Sequence, residues 1–213
     1  NRKNTILLTV IAVATLLVAV VGATFAYFTA QGGSSVQTPV KVNTAQTSNG
    51  SFVINGQISI NATQENFYQG AGNQTSTATA KVTYTASSTA ASDFCYTVGL
   101  QVTANNFVYT TDPTNTPELT FTARKSANAS DMTSATTLID AQDITTTTAS
   151  TTIKVPTSVG GGEYNHQISA TQGQTITDQW DFTVTLVNLE SDQNANTGKT
   201  MTGQIVFTQV ECS

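Results

Sequence analysis

A chain of 213 residues with net charge −5 and only 10% charged residues is far less charged than the roughly 25% usual in soluble domains. From Lys41 onward six basic residues face thirteen acidic ones, so no basic patch is available for a phosphate backbone, which argues against nucleic-acid binding. Two cysteines and one histidine fall short of the roughly four ligands of a zinc site. No phosphate loop, dinucleotide motif or Gly-x-Ser-x-Gly elbow is present, so the sequence points to no enzyme and no cofactor.

The N-terminal part sets the class. Residues Asn4 to Val40 carry no charge, and Ile6 to Phe28 are almost wholly apolar. That run exceeds the roughly 7–15 residues of a signal-peptide core and matches the roughly 20 needed to cross a bilayer. Arg2 and Lys3 precede it, which predicts a cytoplasmic N-terminus and an exported remainder, with Tyr27 and Phe28 at the outer interface. The expectation is a long hydrophobic α-helix over residues 1–30. Its assembly surface would comprise Ile6, Leu7, Leu8, Val10, Ile11, Val13, Leu16, Leu17, Val20, Val21, Phe25 and Phe28. Small residues among them (Ala12, Ala14, Ala19, Gly22, Ala23, Ala26) let neighbouring backbones approach closely. Three roles are open: a cleaved export signal, a permanent single-span anchor, or a helix held first in the membrane and later packed against its copies in a filament core. The last is preferred.

Residues 31–35, Gln-Gly-Gly-Ser-Ser, read as a hinge, and 36–213 as one head. About one residue in five is Thr, a strand former suited to a half-buried pleated surface. Phe94, Tyr96, Val98, Leu100 and Val102 alternate with smaller or polar residues, as do Trp180, Phe182, Val184 and Leu186. Shorter runs are Ala80-Val82-Tyr84, Leu119-Phe121-Ala123, Ile153-Val155 and Ile205-Phe207. Strict alternation means antiparallel strands with one face buried, and the first two stripes should form the central core. Asn49-Gly50 and Asn55-Gly56 read as hairpin turns; Gly160-Gly161-Gly162 and Thr197-Gly198 read as loops. Thr145 to Thr152 reads as a strand or an exposed loop. The predicted fold class is mainly β with one long N-terminal hydrophobic α-helix, the head being an antiparallel β-sandwich or a jelly roll.

This layout of a basic start, a long apolar helix and a β-rich head with a cysteine at its end resembles type IV pilin-like filament subunits. Those of bacteria carry a glutamate at the fifth position, where this chain has Thr5. The stretch Ala23-Thr24-Phe25-Ala26-Tyr27-Phe28-Thr29 is similar to the end of the export signals in the TasA/camelysin family of matrix-fibre proteins. Both resemblances imply an exported, fibre-forming structural protein. The second implies cleavage near Ala26 or Tyr27.

Each candidate site has a plainer reading beside it. In an exported chain Cys95 and Cys212 read as a disulfide; both fall on the polar parity of their strands and should meet on an outer face or edge, the alternative being two free thiols. Asp192, Asn194 and Asn196 place oxygens at alternate positions, like half of a calcium loop, but the glycine comes seventh rather than sixth and Gly203 stands where an EF-hand has its glutamate; the plainer reading is a polar hairpin loop. His166 reads as a surface or strand histidine, and the pairs Asp178/Asp181 and Asp140/Asp143, glycosidase acids by residue type, as solvated surface. Asn49, Asn61, Asn73 and Asn128 open Asn-x-Ser/Thr sequons and are candidate glycosylation sites. The function expected is a subunit of an extracellular, cell-surface filament that polymerises with itself after a membrane-inserted stage, for adhesion or biofilm. The alternatives are a membrane-anchored monomeric adhesin with a surface ligand, and a TasA-like fibre protein assembling by donor-strand exchange after signal cleavage.

Overall fold

A computed structural model describes residues 50–111, 113–128 and 131–212. Ten strands account for most of them: β1 Gly50–Asn55, β2 Ile58–Asn61, β3 Gln74–Thr85, β4 Ser92–Asn105, β5 Leu119–Ser126, β6 Thr136–Asp143, β7 Thr152–Lys154, β8 His166–Ala170, β9 Thr175–Leu186 and β10 Thr200–Val210. Two 3-10 turns, Gln64–Phe67 and Asn194–Asn196, complete the list. The fold class therefore needs correcting. The described residues are β throughout, in two antiparallel sheets, and hold no α-helix. Their period-two patterning and abundant Thr favour strands over helices. The helix expected over residues 1–30, with its assembly surface, lies outside the described residues. Among those described, no helix is long and apolar enough to cross a membrane.

One sheet has the order β1-β3-β9-β5-β6; the other runs β2-β10-β4-β7, with β8 also paired to β4. Every pairing is antiparallel. The partners nest: β2 with β10, β3 with β9, β4 with β7 and β8, β5 with β6. That is a single long hairpin wound round itself, the connectivity of a jelly roll, with β1 added at one edge.

The core follows from alternation. On β9, Ile176, Asp178, Trp180, Phe182, Val184 and Leu186 are buried while the residues between them are half-exposed or exposed. On β4, Phe94, Tyr96, Val98, Leu100 and Val102 are buried and face them across the sandwich. Phe52 of β1 stacks on Phe207 of β10 with ring centroids 5.1 Å apart, and Tyr84 of β3 on Phe94 at 5.2 Å. The opposite face of the first sheet is a threonine surface. Thr83 and Thr177 share a hydroxyl–hydroxyl bond of 3.0 Å, Thr85 and Thr175 one of 2.8 Å, each pair directly opposite in register. Cross-strand pairs of this kind contribute roughly 0.2–1 kcal/mol each.

Two glycines explain local features. Asn55-Gly56 does not close a hairpin, because β1 and β2 belong to different sheets; Gly56, at φ +88°, instead turns the chain from one sheet to the other, and a Cβ there would meet the Thr77 carbonyl at 3.1 Å. The turn chemistry is the same, but burial of Ile54, Ile58 and Ile60 sends the two strands to opposite layers. Gly50, likewise, is the first residue of β1 rather than part of a turn. Gly99 lets β7 approach β4, since a Cβ there would lie 2.6 Å from the Ile153 carbonyl oxygen. Thr145 to Thr151 form a looped, turn-rich connection, and β7 starts at Thr152. At the outer edge of the first sheet, β6 carries register irregularities and Ala141 at φ +45°. A bulge on an edge strand discourages pairing with stray strands.

The Cys95–Cys212 disulfide is formed, with Cα atoms 5.2 Å apart. Cys95 opposes Val210 in the β4–β10 register and lies on the face of β4 away from Phe94 and Tyr96, as parity requires. It is nevertheless buried.

Candidate functional site

The most chemically distinctive region lies inside the sandwich, where four polar groups meet around the aromatic core. Asp178 occupies an inward position of β9, two residues before Trp180. Its Oδ2 accepts a bond from the Tyr96 hydroxyl at 2.8 Å and contacts Lys125 Nζ at 2.8 Å. Its Oδ1 accepts the Asn128 backbone N–H at 3.1 Å. The Trp180 indole N–H donates to the Tyr96 oxygen at 3.1 Å. Lys125 Nζ also sits 5.6 Å from the Tyr96 ring centroid and 5.5 Å from that of Trp180, within cation–π range. Burial first, and then the neighbouring Asp178 carboxylate, hold the Tyr96 phenol well above its usual 10.

His166 closes this cluster. It is a buried strand residue of β8, stacked on Tyr96 at 5.5 Å and edge-on to Trp180 at 4.9 Å, with Nε2 against the Val155 carbonyl oxygen at 3.1 Å. Its placement answers the sequence reading: a strand histidine, packed in the core. Burial, followed by the nearby Lys125 cation, lowers its pKa from 6.5 to about 4, against the opposing pull of Asp178. The unfolded chain binds the proton more readily than the folded one, so stability is complete above pH 6.5 and is lost as pH falls toward 4. The expected loss is about 3 kcal/mol across that window. Urea unfolding from pH 7 to 4 checks this, and His166→Phe should flatten the pH dependence over the same range.

A second polar network fastens one end of the sandwich. Glu118 is fully buried, and the donors it accepts are uncharged. Its Oε1 takes the Thr110 N–H at 2.5 Å, while its Oε2 takes the side-chain amides of Gln193 and Asn196, each at 2.7 Å. Asn196 also exchanges bonds with the backbone of Val108, donating to its carbonyl and accepting its N–H. Thr145 accepts the N–H groups of Glu118 and Leu119 and donates to Asp143. Burial pushes the Asp143 carboxyl up, but the hydrogen bonds from Thr145 and Tyr109 outweigh it and lower the pKa.

The remaining sequence candidates are scattered. Asn196 of the calcium-like trio is committed to Glu118 and Val108, Asp192 binds the Asn194 N–H, and Asn194 is exposed; the three side chains do not converge. No group of three or more His, Cys, Asp or Glu among the described residues is placed to hold a metal ion. Asp178 and Asp181 lie on opposite faces of β9, an odd spacing, so they do not form a pair; Asp178 is buried where a solvated surface was expected. Asp140 is exposed, while Asp143 is engaged as above. Of the sequons, Asn61, Asn73 and Asn128 are exposed, with Asn73 accepting the Asn188 N–H at 3.0 Å; Asn49 lies outside the described residues. Lys125 and Glu118 were not singled out from the sequence, and Tyr96 was read there only as a core residue. Parity was the available signal for two of them: Lys125 continues the Leu119-Phe121-Ala123 stripe, and Tyr96 lies within the Phe94 stripe.

A groove of about 480 Å³ opens between β6 and β7, lined among others by Ile139, Asp140, Lys154, Gly161 and Tyr164. Lys154 Nζ lies 6.0 Å from the Tyr164 ring centroid.

No family model matches the chain, and no curated protein matches it. Among solved structures it is similar to one described as the structure of the infectious bursal disease virus Gx strain, at 14% identity and a TM-score of 0.33, covering 82% of this chain and 35% of that one. It is also similar to the crystal structure of the infectious bursal disease virus VP2 subviral particle, at 12% identity and a TM-score of 0.29, covering 79% and 37%. This chain spans little more than a third of the length of either, and at these TM-scores the likeness implies nothing about function.

Proposed function

We propose that this chain is a structural subunit of an extracellular, pilus-like filament that polymerises with itself and serves adhesion or biofilm formation. The observation that carries the reading is the joining, in one chain, of the uncharged apolar run Ile6 to Phe28 to a sandwich that is poor in charge and closed by a disulfide. A disulfide persists in oxidising surroundings, which supports export. An apolar run of this length is unstable in water unless lipid or other copies cover it. At about 25 cal/mol per Å² of buried apolar area, a few hundred Å² per subunit supplies several kcal/mol toward assembly. Weakly charged heads, faced with threonine, repel one another little. The membrane holds the subunit before assembly in this reading, and no cofactor takes part.

Two other readings have an observation each in their favour. The groove beside Tyr164 suits a membrane-anchored adhesin with a surface ligand. The edge of β1 away from β3, unpaired among the described residues, suits a TasA-like fibre in which a neighbour's strand completes the sheet. Electron microscopy separates them. In the full chain, Val13→Asp should abolish filaments, because an unpaired carboxylate is costly in lipid or in a packed apolar core. Deletion of residues 1–30, with an export signal supplied separately, should leave a monomeric, folded head. Normal fibres from either variant would overturn the apolar run as the assembly element.

A further inference from the structure

Lys125 and Asp178 pose a problem that the filament reading does not solve. Their contact is 2.8 Å, and the side chains are only 14% and 3% exposed. A buried ion pair is weak evidence for stability, because desolvation of both charges offsets most of their attraction. The aromatic rings of Tyr96 and Trp180 flank the lysine, and His166 covers both rings from the β8 side. The register also matters. Lys125 of β5 lies directly opposite Trp180 of β9, so Asp178 is its diagonal neighbour on the same inward face, within reach of a long side chain without backbone movement.

The donors are arranged for more than neutralisation. Each carboxylate oxygen has its own: Asn128 N–H at 3.1 Å on Oδ1, and the Tyr96 hydroxyl at 2.8 Å on Oδ2 beside Nζ. One is placed to stabilise negative charge developing on Oδ1, and the other to hold Oδ2 by a hydrogen bond as it departs. We propose that Lys125 and Asp178 condense to an intramolecular isopeptide bond that cross-links β5 to β9.

The step balances without an outside reagent. Transfer of one proton from Nζ to the carboxylate leaves an uncharged amine facing an uncharged carboxyl. The Nζ lone pair attacks Cγ, and the carbonyl electrons move to Oδ1, where Asn128 N–H receives them. The C–N bond has then formed. Nζ, in contact with Oδ2 at 2.8 Å, passes its second proton to that oxygen, while the Tyr96 hydroxyl, also 2.8 Å away, donates a hydrogen bond to it as it departs. The Trp180 indole N–H holds the Tyr96 oxygen in line. The Cγ–Oδ2 bond breaks, the electrons return from Oδ1, and Oδ2 leaves as water. The ammonium–carboxylate pair has lost two hydrogens and one oxygen, and net charge is unchanged. A groove of about 360 Å³ lined by Lys125, Ser126, Ala127, Leu138 and Thr157 opens at the lysine of the pair.

Intact-mass measurement of the reduced full chain tests this. The wild type should be lighter than its sequence by one water, about 18 Da. Lys125→Arg keeps the cation beside Asp178 but cannot form the amide, and should show the full sequence mass, as should Asp178→Ala. Digestion of the wild type should release a branched peptide joining residues of β5 and β9. Tyr96→Phe keeps the core filled but removes the hydrogen-bond donor to Oδ2, and should slow cross-linking at least about tenfold. A wild-type mass equal to the unmodified reduced chain would overturn the proposal, as would a mass deficit that persists in Lys125→Arg.

Discussion

Trp180→Ala should lower the unfolding free energy by about 3–5 kcal/mol. Trp180 is 1% exposed and stands where both sheets meet. It stacks on Phe182 at 5.7 Å and meets Tyr96 edge-on at 6.3 Å and His166 at 4.9 Å. Truncation removes these contacts and leaves a cavity that a rigid, close-packed sandwich cannot fill. It also strips the Tyr96 oxygen of its indole donor. Trp180→Phe separates the two effects: it keeps most of the volume and should cost about 1–2 kcal/mol, the scale of one buried hydrogen bond and a partial cavity. Urea denaturation followed by circular dichroism measures both. A loss under about 1 kcal/mol for the alanine variant would be incompatible with a central core position.

The other large effect is expected at the disulfide. Cys95 and Cys212 are separated by 117 residues in sequence. In the chain-entropy model, closing a loop of that length stabilises the fold by about 5 kcal/mol, and measured values often fall below the model. The double variant Cys95→Ala/Cys212→Ala should therefore lose about 3–5 kcal/mol. For a domain of this size that corresponds to a Tm lower by roughly 6–20 °C. The bond also holds the end of the chain where β10 ceases to be buried, since Thr208 and Gln209 are exposed. Reductant should lower the Tm of the wild type by the same amount and leave the double variant unchanged. A wild type indifferent to complete reduction would show that β10 is held by its ladder to β4 alone.

Much of the sandwich is legible in the sequence because alternation is a local signal. The stripes from Phe94 to Val102 and from Trp180 to Leu186 are recognisable without knowing what they pack against. Pairing is not local. Nothing near Ile58 announces that β2 will lie beside β10, at the other end of the described chain. Asn55-Gly56 shows the same limit: its turn is readable, but the sheet that receives the next strand is decided by burial of isoleucines on either side. The cluster around Asp178 was half visible. A carboxylate in phase with Trp180, and a lysine in phase with Phe121, break the apolar pattern at inward positions, and polar neighbours mask the breach. Glu118 had no comparable marker, since its burial depends on amides from Gln193 and Asn196 far along the chain. Those amides also explain why a loop spaced like a calcium site is built otherwise: Asn196 turns inward to satisfy a carboxylate.

Continuous ladders and scarce charge have a consequence for digestion. Peptidases that cut after lysine or arginine need an extended, unpaired stretch of chain in their cleft. The described residues offer five such positions. Lys81, Arg124, Lys125 and Lys154 are all within strands, where cleavage requires a strand to peel away first. Lys199 follows the Thr197-Gly198 turn, but its N–H donates to the Asn196 carbonyl at 3.1 Å and its own carbonyl accepts the Ala62 N–H at 2.9 Å. Local opening is thus needed before these bonds can be hydrolysed, the one after Lys125 also requiring a free amine, and proteolytic lifetime then follows the opening equilibrium rather than surface exposure. The described part of the molecule thus persists among trypsin-like enzymes, and its half-life in their presence should track its unfolding free energy.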